Sequence, residues 1–203
     1  MHETVLSYGL TRKAIVVGSW SYAQQYGLDA INLVLSNMFG PEDHFEPERS
    51  HALGALVGRI YEAKEKKAES IDVWGSGKPI REWLFVEDGA EALVRAINCT
   101  PTTELTNVGV GTGISVKDLA KCISDVIGFK GILKFDLSKP DGAPCKTVDG
   151  SKGEALLNWT PSTSFVDAIK QTISSYEIFR KPSSDENLAT INEKSSSAEC
   201  LNT

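Results

Sequence analysis

Short apolar runs alternate with longer stretches of helical spacing through most of this chain. That alternation restricts it to an α/β architecture containing parallel strand pairings. The runs are Ile31–Leu35, Ile71–Trp74, Trp83–Val86, Thr106–Val110 and Ile132–Leu137, each bracketed by turn residues. The first helix is predicted over Leu6–Tyr26, with Leu10, Ala14 and Val17 at helix spacing and Gly27 placed to end it. A second covers His51–Lys66, apolar at Leu53, Leu56, Val57, Ile60 and Tyr61. Asp88 is read as the cap of a helix over Gly89–Asn98. Ser115-Val-Lys-Asp118 resembles a capping box with Asp in place of the usual Glu or Gln, opening a helix to Ile127. Two more helices are predicted over Lys152–Leu157 and Ser164–Phe179. Gly40-Pro41-Glu-Asp starts a loop that runs to Ser50. Pro182–Thr203 is rich in Ser, Asn and Glu with almost no large apolar groups, so a disordered tail is expected there.

Charge and cysteine usage narrow the partners. Lys and Arg number 21 against 27 Asp and Glu, a net charge of −6, and no basic stripe runs along the chain. A nucleic acid gripped through its phosphates is therefore not expected. No apolar run approaches the roughly 20 residues of a membrane helix, and Met1-His-Glu-Thr-Val lacks the basic start and apolar core of a signal peptide. Cys99, Cys122, Cys145 and Cys200 are scattered without Cys-x-x-Cys spacing. They fit reduced thiols of a cytoplasmic protein better than a disulfide framework or a zinc site. Cys99 and Cys122 fall in apolar helical contexts and are read as packing residues.

Tyr8 and Arg12 lie four apart, so a helix stacks them on one face. A phenol becomes a useful proton donor near neutral pH when a cation one turn away lowers its pKa. Such a pair is common on surface helices and gains meaning only from the residues downstream of it. The chain continues with Asn37-Met38-Phe-Gly40-Pro41-Glu-Asp43-His-Phe45, Ser50-His51, Arg59, Val73-Trp74-Gly75-Ser-Gly77, Pro79-Ile-Arg81-Glu82 and Lys139-Pro-Asp141-Gly142. In this order and at this spacing, from Tyr8 to Trp159, the chain resembles the GDP-L-fucose synthase family of extended short-chain dehydrogenases.

The resemblance implies a fold and a chemistry. The expected fold is the C-terminal part of a Rossmann-type sheet plus a smaller α/β substrate-binding domain. Residues 1–40 would be a remnant of the dinucleotide-binding domain, 41–180 mainly the substrate domain with returns to the Rossmann sheet, and 181–203 the tail. The implied reaction is NADPH-dependent 3,5-epimerisation and 4-reduction of GDP-4-keto-6-deoxymannose to GDP-L-fucose. By the same resemblance Tyr8 protonates the 4-oxygen, Arg12 stands where the family has a lysine, and His51 is the acid of the epimerisations. Tyr8, Arg12, Asn37, Met38 and His51 fall on the NADP(H) side. Arg59, Trp74, Arg81 and Asp141 fall on the GDP-sugar side. Arginines suit a diphosphate through forked bonds, and an indole suits guanine through stacking.

Two glycine-rich strings are not cofactor loops, and the sequence departs from the family pattern elsewhere. Gly109-Val-Gly111-Thr-Gly113 follows a strand and precedes a helix, but its spacing is not that of a dinucleotide loop, and Gly75-Ser-Gly77-Lys78 is followed by Pro79, unlike a phosphate loop. The family's catalytic serine and its cysteine base have no counterpart here. The expectation is accordingly of a Rossmann-type half preceding Met1, because the Leu6–Leu35 helix and strand have no sheet of their own to join and would otherwise leave a sticky apolar face. Alternatives are a non-catalytic GDP-sugar binder, a subunit that pairs with a Rossmann-domain partner, or an enzyme of another nucleotide sugar. A homodimer through the Tyr8 helix is implied by resemblance alone.

Overall fold

The computed structural model describes residues 6–46 and 49–180. The tail expected over 181–203, and Cys200 within it, lie outside the described residues. The architecture is mixed α/β with mainly parallel strand pairs. Helix α1 (Leu6–Tyr26) leads into β1 (Ile31–Leu35) and β2 (Asn37–Phe39). These two strands are nearly one extended run that changes partner along its length. β1 pairs in parallel with β6 (Thr102–Val108), Leu35 facing Val108; β2 pairs in parallel with β5 (Trp83–Phe85), Asn37 facing Trp83. Between them Ser36 N donates to the Val108 carbonyl at 3.0 Å, so the ladder continues through the switch.

This pairing corrects one expectation. The strand Ile31–Leu35 does join a sheet, through a segment far along the chain. Local sequence patterns carry no signal for a contact of that range. Strand β6 also begins earlier than the apolar run Thr106–Val110 suggests, because Thr102–Leu105 are held by main-chain pairing rather than by burial of apolar side chains.

A second unit builds on the first. Helix α2 (Ala52–Glu65), strand β3 (Ser70–Trp74), helix α4 (Val116–Ile127), strand β8 (Ile132–Asp136) and helix α6 (Phe165–Phe179) surround the larger core. β3 and β8 are parallel, Trp74 facing Asp136. Leu53, Val57 and Ile60 of α2 are fully buried there with Leu119 and Ile123 of α4 and Ile169 of α6, the i, i+3/i+4 faces of three helices meeting. The smaller core gathers Leu84, Ala92, Ala96, Val108, Leu157 and Trp159 from β5, α3 (Val86–Ile97), β6, and α5 (Ser151–Leu157) with its flank. A small three-stranded sheet adds β4 (Ile80–Arg81), antiparallel to β7 (Ile114–Ser115) and parallel to β9 (Cys145–Lys146). Strands of two or three residues are too short to show any period, and β2, β4, β7 and β9 leave no alternation in the sequence.

The helix caps divide. Ser115 Oγ accepts from Asp118 N at 3.0 Å, as the capping pattern predicts. Asp88 does something else: α3 already starts at Val86, with Phe85 at its N-cap position. Asp88 sits in the first turn, where a carboxylate also suits the helix dipole. There it is buried and accepts from Ser162 N at 3.1 Å, Thr163 N at 3.3 Å and both hydroxyls, tying α3 to the turn before α6. Cys99 and Cys122 are half-buried against the two cores, as packing residues should be.

Helix α1 is the exception to this compactness. It has no buried residue, and Tyr8, Leu10, Ile15, Val17, Trp20, Tyr22 and Tyr26 are all exposed. Its hold on the rest is slight and includes Ser19 Oγ with Asn32 Oδ1 at 3.0 Å. The apolar face expected over Leu6–Leu35 is present.

Candidate functional site

The residues assigned to a nucleotide gather at one end of the β3–β8 pair. Strand β3 ends at Trp74, which is 66% exposed. Lys139, from the loop after β8, sets its ammonium 5.5 Å from the indole centroid. A cation at that distance is attracted to the face of the ring. Beyond Trp74 the chain turns through Gly75, Ser76 and Gly77, and Gly75 N donates to the Asp136 carbonyl at 3.0 Å. Gly75 has φ +81°, and a Cβ there would collide with the Asp141 carboxylate, so only glycine serves.

Asp141 is the link between the two loops. Its Oδ1 accepts from Ser76 N at 2.6 Å and its Oδ2 from Ser76 Oγ at 2.7 Å. The Ser76 main-chain N–H and hydroxyl, aided by Lys78 and Arg81, hold this carboxyl below the usual carboxylate range. Arg81, on β4, donates through Nη2 to the Asp141 carbonyl at 3.3 Å and through Nη1 to the Ile80 carbonyl at 2.7 Å. Arg59, on α2, donates through Nη2 to the carbonyl of Asp72, two residues before Trp74. Trp74, Arg81, Lys139 and Asp141 are thus brought together, with Arg59 bonded to the same strand.

The residues assigned to cofactor and catalysis are more dispersed. Asn37 Nδ2 donates to the Glu82 carbonyl at 2.9 Å, which fixes Asn37 beside the strand that carries Arg81. Met38 follows it, partly exposed, with Gly89 close to its sulfur. His51 is the N-cap residue of α2, exposed and without a side-chain capping bond. Tyr8 and Arg12 meet on α1, the guanidinium lying over the phenol ring 4.9 Å from its centroid. Arg12 therefore addresses the ring face, as a planar cation does. Among the described residues no hydrogen bond, ion pair or ring contact joins Tyr8 or Arg12 to His51 or to the Trp74 cluster.

Two residues at the site carry weight that their sequence context does not announce. Ser76, read only as part of a turn, is the partner of Asp141. Glu82, read only as part of a motif, is 1% exposed and is the anchor of the region. Its Oε1 accepts from Val110 N at 2.6 Å and Gly111 N at 3.3 Å, and its Oε2 from Val148 N at 2.7 Å. Gly109 lies so close to this carboxylate that a Cβ would overlap it. The Gly109-Val-Gly111 string therefore wraps a buried glutamate, a structural use for a glycine loop that otherwise invites a dinucleotide reading. A charged residue set between Arg81 and a run of large apolar groups, Trp83-Leu-Phe85, is the signal that could have pointed to it.

The model of the NAD dependent epimerase/dehydratase family matches residues 3–109. The chain is 41% identical over 169 residues to GDP-L-fucose synthase 1 from Arabidopsis thaliana, covering 83% of this chain and 52% of that protein. It thus spans about half the length of the curated relatives it matches. Among solved structures, a GDP-L-fucose synthetase from Naegleria fowleri bound to NADP superposes with a TM-score of 0.78 at 28% identity, over 86% of this chain and 56% of that one. A GDP-6-OMe-4-keto-L-xylo-heptose reductase from C. jejuni gives 0.80 at 25% identity, over 89% and 63%. The ordered motifs, the parallel α/β framework and these likenesses agree: the chain belongs to the NAD dependent epimerase/dehydratase family.

Proposed function

We propose that this chain supplies the nucleotide-sugar side of a cytoplasmic, NADP(H)-dependent epimerase/reductase that converts GDP-4-keto-6-deoxymannose to GDP-L-fucose. The observation that carries the reading is the face made by Trp74, Lys139 and Arg81, joined through Asp141. Its indole suits a purine, and its cations suit a diphosphate. Arg59 is the second diphosphate ligand, reached by a change of rotamer from its bond to Asp72. The reading is supported by relatives whose names specify GDP sugars.

The chain's own residues then divide the chemistry. His51 moves protons at the epimerised carbons, a role suited to imidazole. Tyr8 delivers a proton to the 4-oxygen, and Arg12 orients the phenol by stacking on it. Bound NADP(H) supplies the hydride for the reduction. By the resemblance, Tyr8, Arg12, Asn37, Met38 and His51 would hold its nicotinamide end. The Gly109–Gly113 loop, closed on Glu82, does not fit a pyrophosphate.

A second reading, a GDP-sugar-binding subunit without turnover of its own, is favoured by the stacking of Arg12 on Tyr8 and by the lack of any contact from that pair to His51 among the described residues. In either reading the exposed apolar face of α1 is covered by a second copy of the chain or by a Rossmann-domain partner. Calorimetry with GDP and with UDP tests the nucleotide assignment. GDP should bind in preference to UDP, and Arg59→Ala should weaken GDP binding roughly tenfold, the loss of one charge-assisted contact. Unchanged GDP binding in Arg59→Ala sinks that assignment. Consumption of NADPH by the chain with the keto sugar separates the enzyme from the binding subunit.

A further inference from the structure

Both oxygens of the Asp141 carboxylate are taken by Ser76, at 2.6 and 2.7 Å, so that carboxylate is turned toward the protein. The Ser76 hydroxyl in turn accepts from Lys78 N at 3.2 Å, which closes the turn onto the segment leading to β4. The main chain of Asp141 meanwhile accepts from Arg81 at 3.3 Å, and its loop neighbour Lys139 lies over Trp74. One residue therefore touches the turn after Trp74 and the side chain of Arg81 at once.

We infer that Ser76 is a positioning residue for the nucleotide. By gripping Asp141 it latches the Gly75–Gly77 turn to the 139–142 loop, so that Trp74, Lys139 and Arg81 form a preassembled face. The inference rests on the nucleotide reading given above. It also reassigns Asp141, which acts through Ser76 and Arg81 rather than by touching the nucleotide itself. A preassembled face binds more tightly because less loop and side-chain freedom is lost on binding. The hydroxyl and the main-chain N–H are both needed, since a carboxylate held at one oxygen still pivots. Threonine keeps both donors; alanine keeps one.

The test is calorimetric titration of GDP into the full chain and into Ser76→Ala, Ser76→Thr, Asp141→Asn and the double variant Ser76→Ala/Asp141→Asn. Ser76→Ala and Asp141→Asn should each weaken GDP binding by about tenfold, and Ser76→Thr should restore it. The double variant should be no worse than the poorer single, because both changes remove one latch. Full affinity in Ser76→Ala, or losses that multiply in the double variant, would overturn the inference. Amide hydrogen exchange without ligand reads the latch independently. Ser76→Ala should speed exchange in both 75–78 and 139–142, and unchanged exchange in the second segment would show that no latch exists. Failure of the unaltered chain to bind GDP would remove the nucleotide reading and the positioning role with it, while the exchange result would still decide the latch.

Discussion

Glu82 shows how a single residue can set the geometry of a site without facing it. Its carboxylate is buried and its charge is met by the N–H groups of Val110, Gly111 and Val148. Its main-chain carbonyl holds Asn37, and its neighbour in sequence is Arg81. A buried charge with this many donors is costly to disturb, because each orphaned N–H retains its desolvation penalty. Glu82→Gln keeps the shape but turns an amide NH₂ toward at least one backbone donor. A loss of about 2–3 kcal/mol is expected from urea denaturation; a loss below about 0.5 kcal/mol, the usual effect of a surface change, would show that the carboxylate is not the anchor described. The sequence displays this residue only as a charge beside an apolar strand, since its partners come from the distant segments 110–111 and 148. Arg59, Trp74, Arg81 and Asp141 are legible for a different reason: their spacing matches a family pattern, and no physical rule of local structure singles them out. What the pattern does not show is that Asp141 spends its carboxylate on Ser76.

At the scale of elements, the long ones are legible and the short ones are not. Helix α1 and strand β1 have the predicted bounds, and α4 starts at the predicted Ser115 cap, because caps and 3.6-residue spacing are written locally. Of the five strands of two or three residues among the described residues, only β5 shows as an apolar run; β2, β4, β7 and β9 owe their existence to partners far away in sequence, such as Ile80 against Cys145. Asp88 reads as a cap because an acid in a first turn and an acid at a cap look alike without knowledge of Ser162 and Thr163. Helix α1 is the element whose stability is least provided for, being helical with every apolar side chain wholly or partly in solvent. Helices in water draw most of their stability from a packed face. On the chain alone, free of a second copy or a partner, native-state hydrogen exchange should therefore find the amides of α1 far less protected than those of α4, which buries Leu119, Ala120, Ile123 and Ile127. Equal protection in the two helices would mean that α1 is covered in solution.

The whole molecule places two cores on either side of a strand run that changes partner at Ser36. The larger core carries the Trp74 end of β3, and the smaller one carries the β1–β6 pair against which α1 rests. The proposed nucleotide face therefore stands on the better-packed part of the molecule, while the Tyr8–Arg12 pair stands on the most weakly attached helix. Among the described residues no helix is long and apolar enough to cross a membrane. This asymmetry makes nucleotide binding the decisive property. The indole N–H resonances of Trp20, Trp74, Trp83 and Trp159, followed by NMR while GDP is added, probe the proposed face without any substitution. The Trp74 signal should shift with saturation while Trp20 on α1 and the buried Trp83 and Trp159 stay in place. A Trp74 resonance unmoved at saturating GDP would contradict the nucleotide reading.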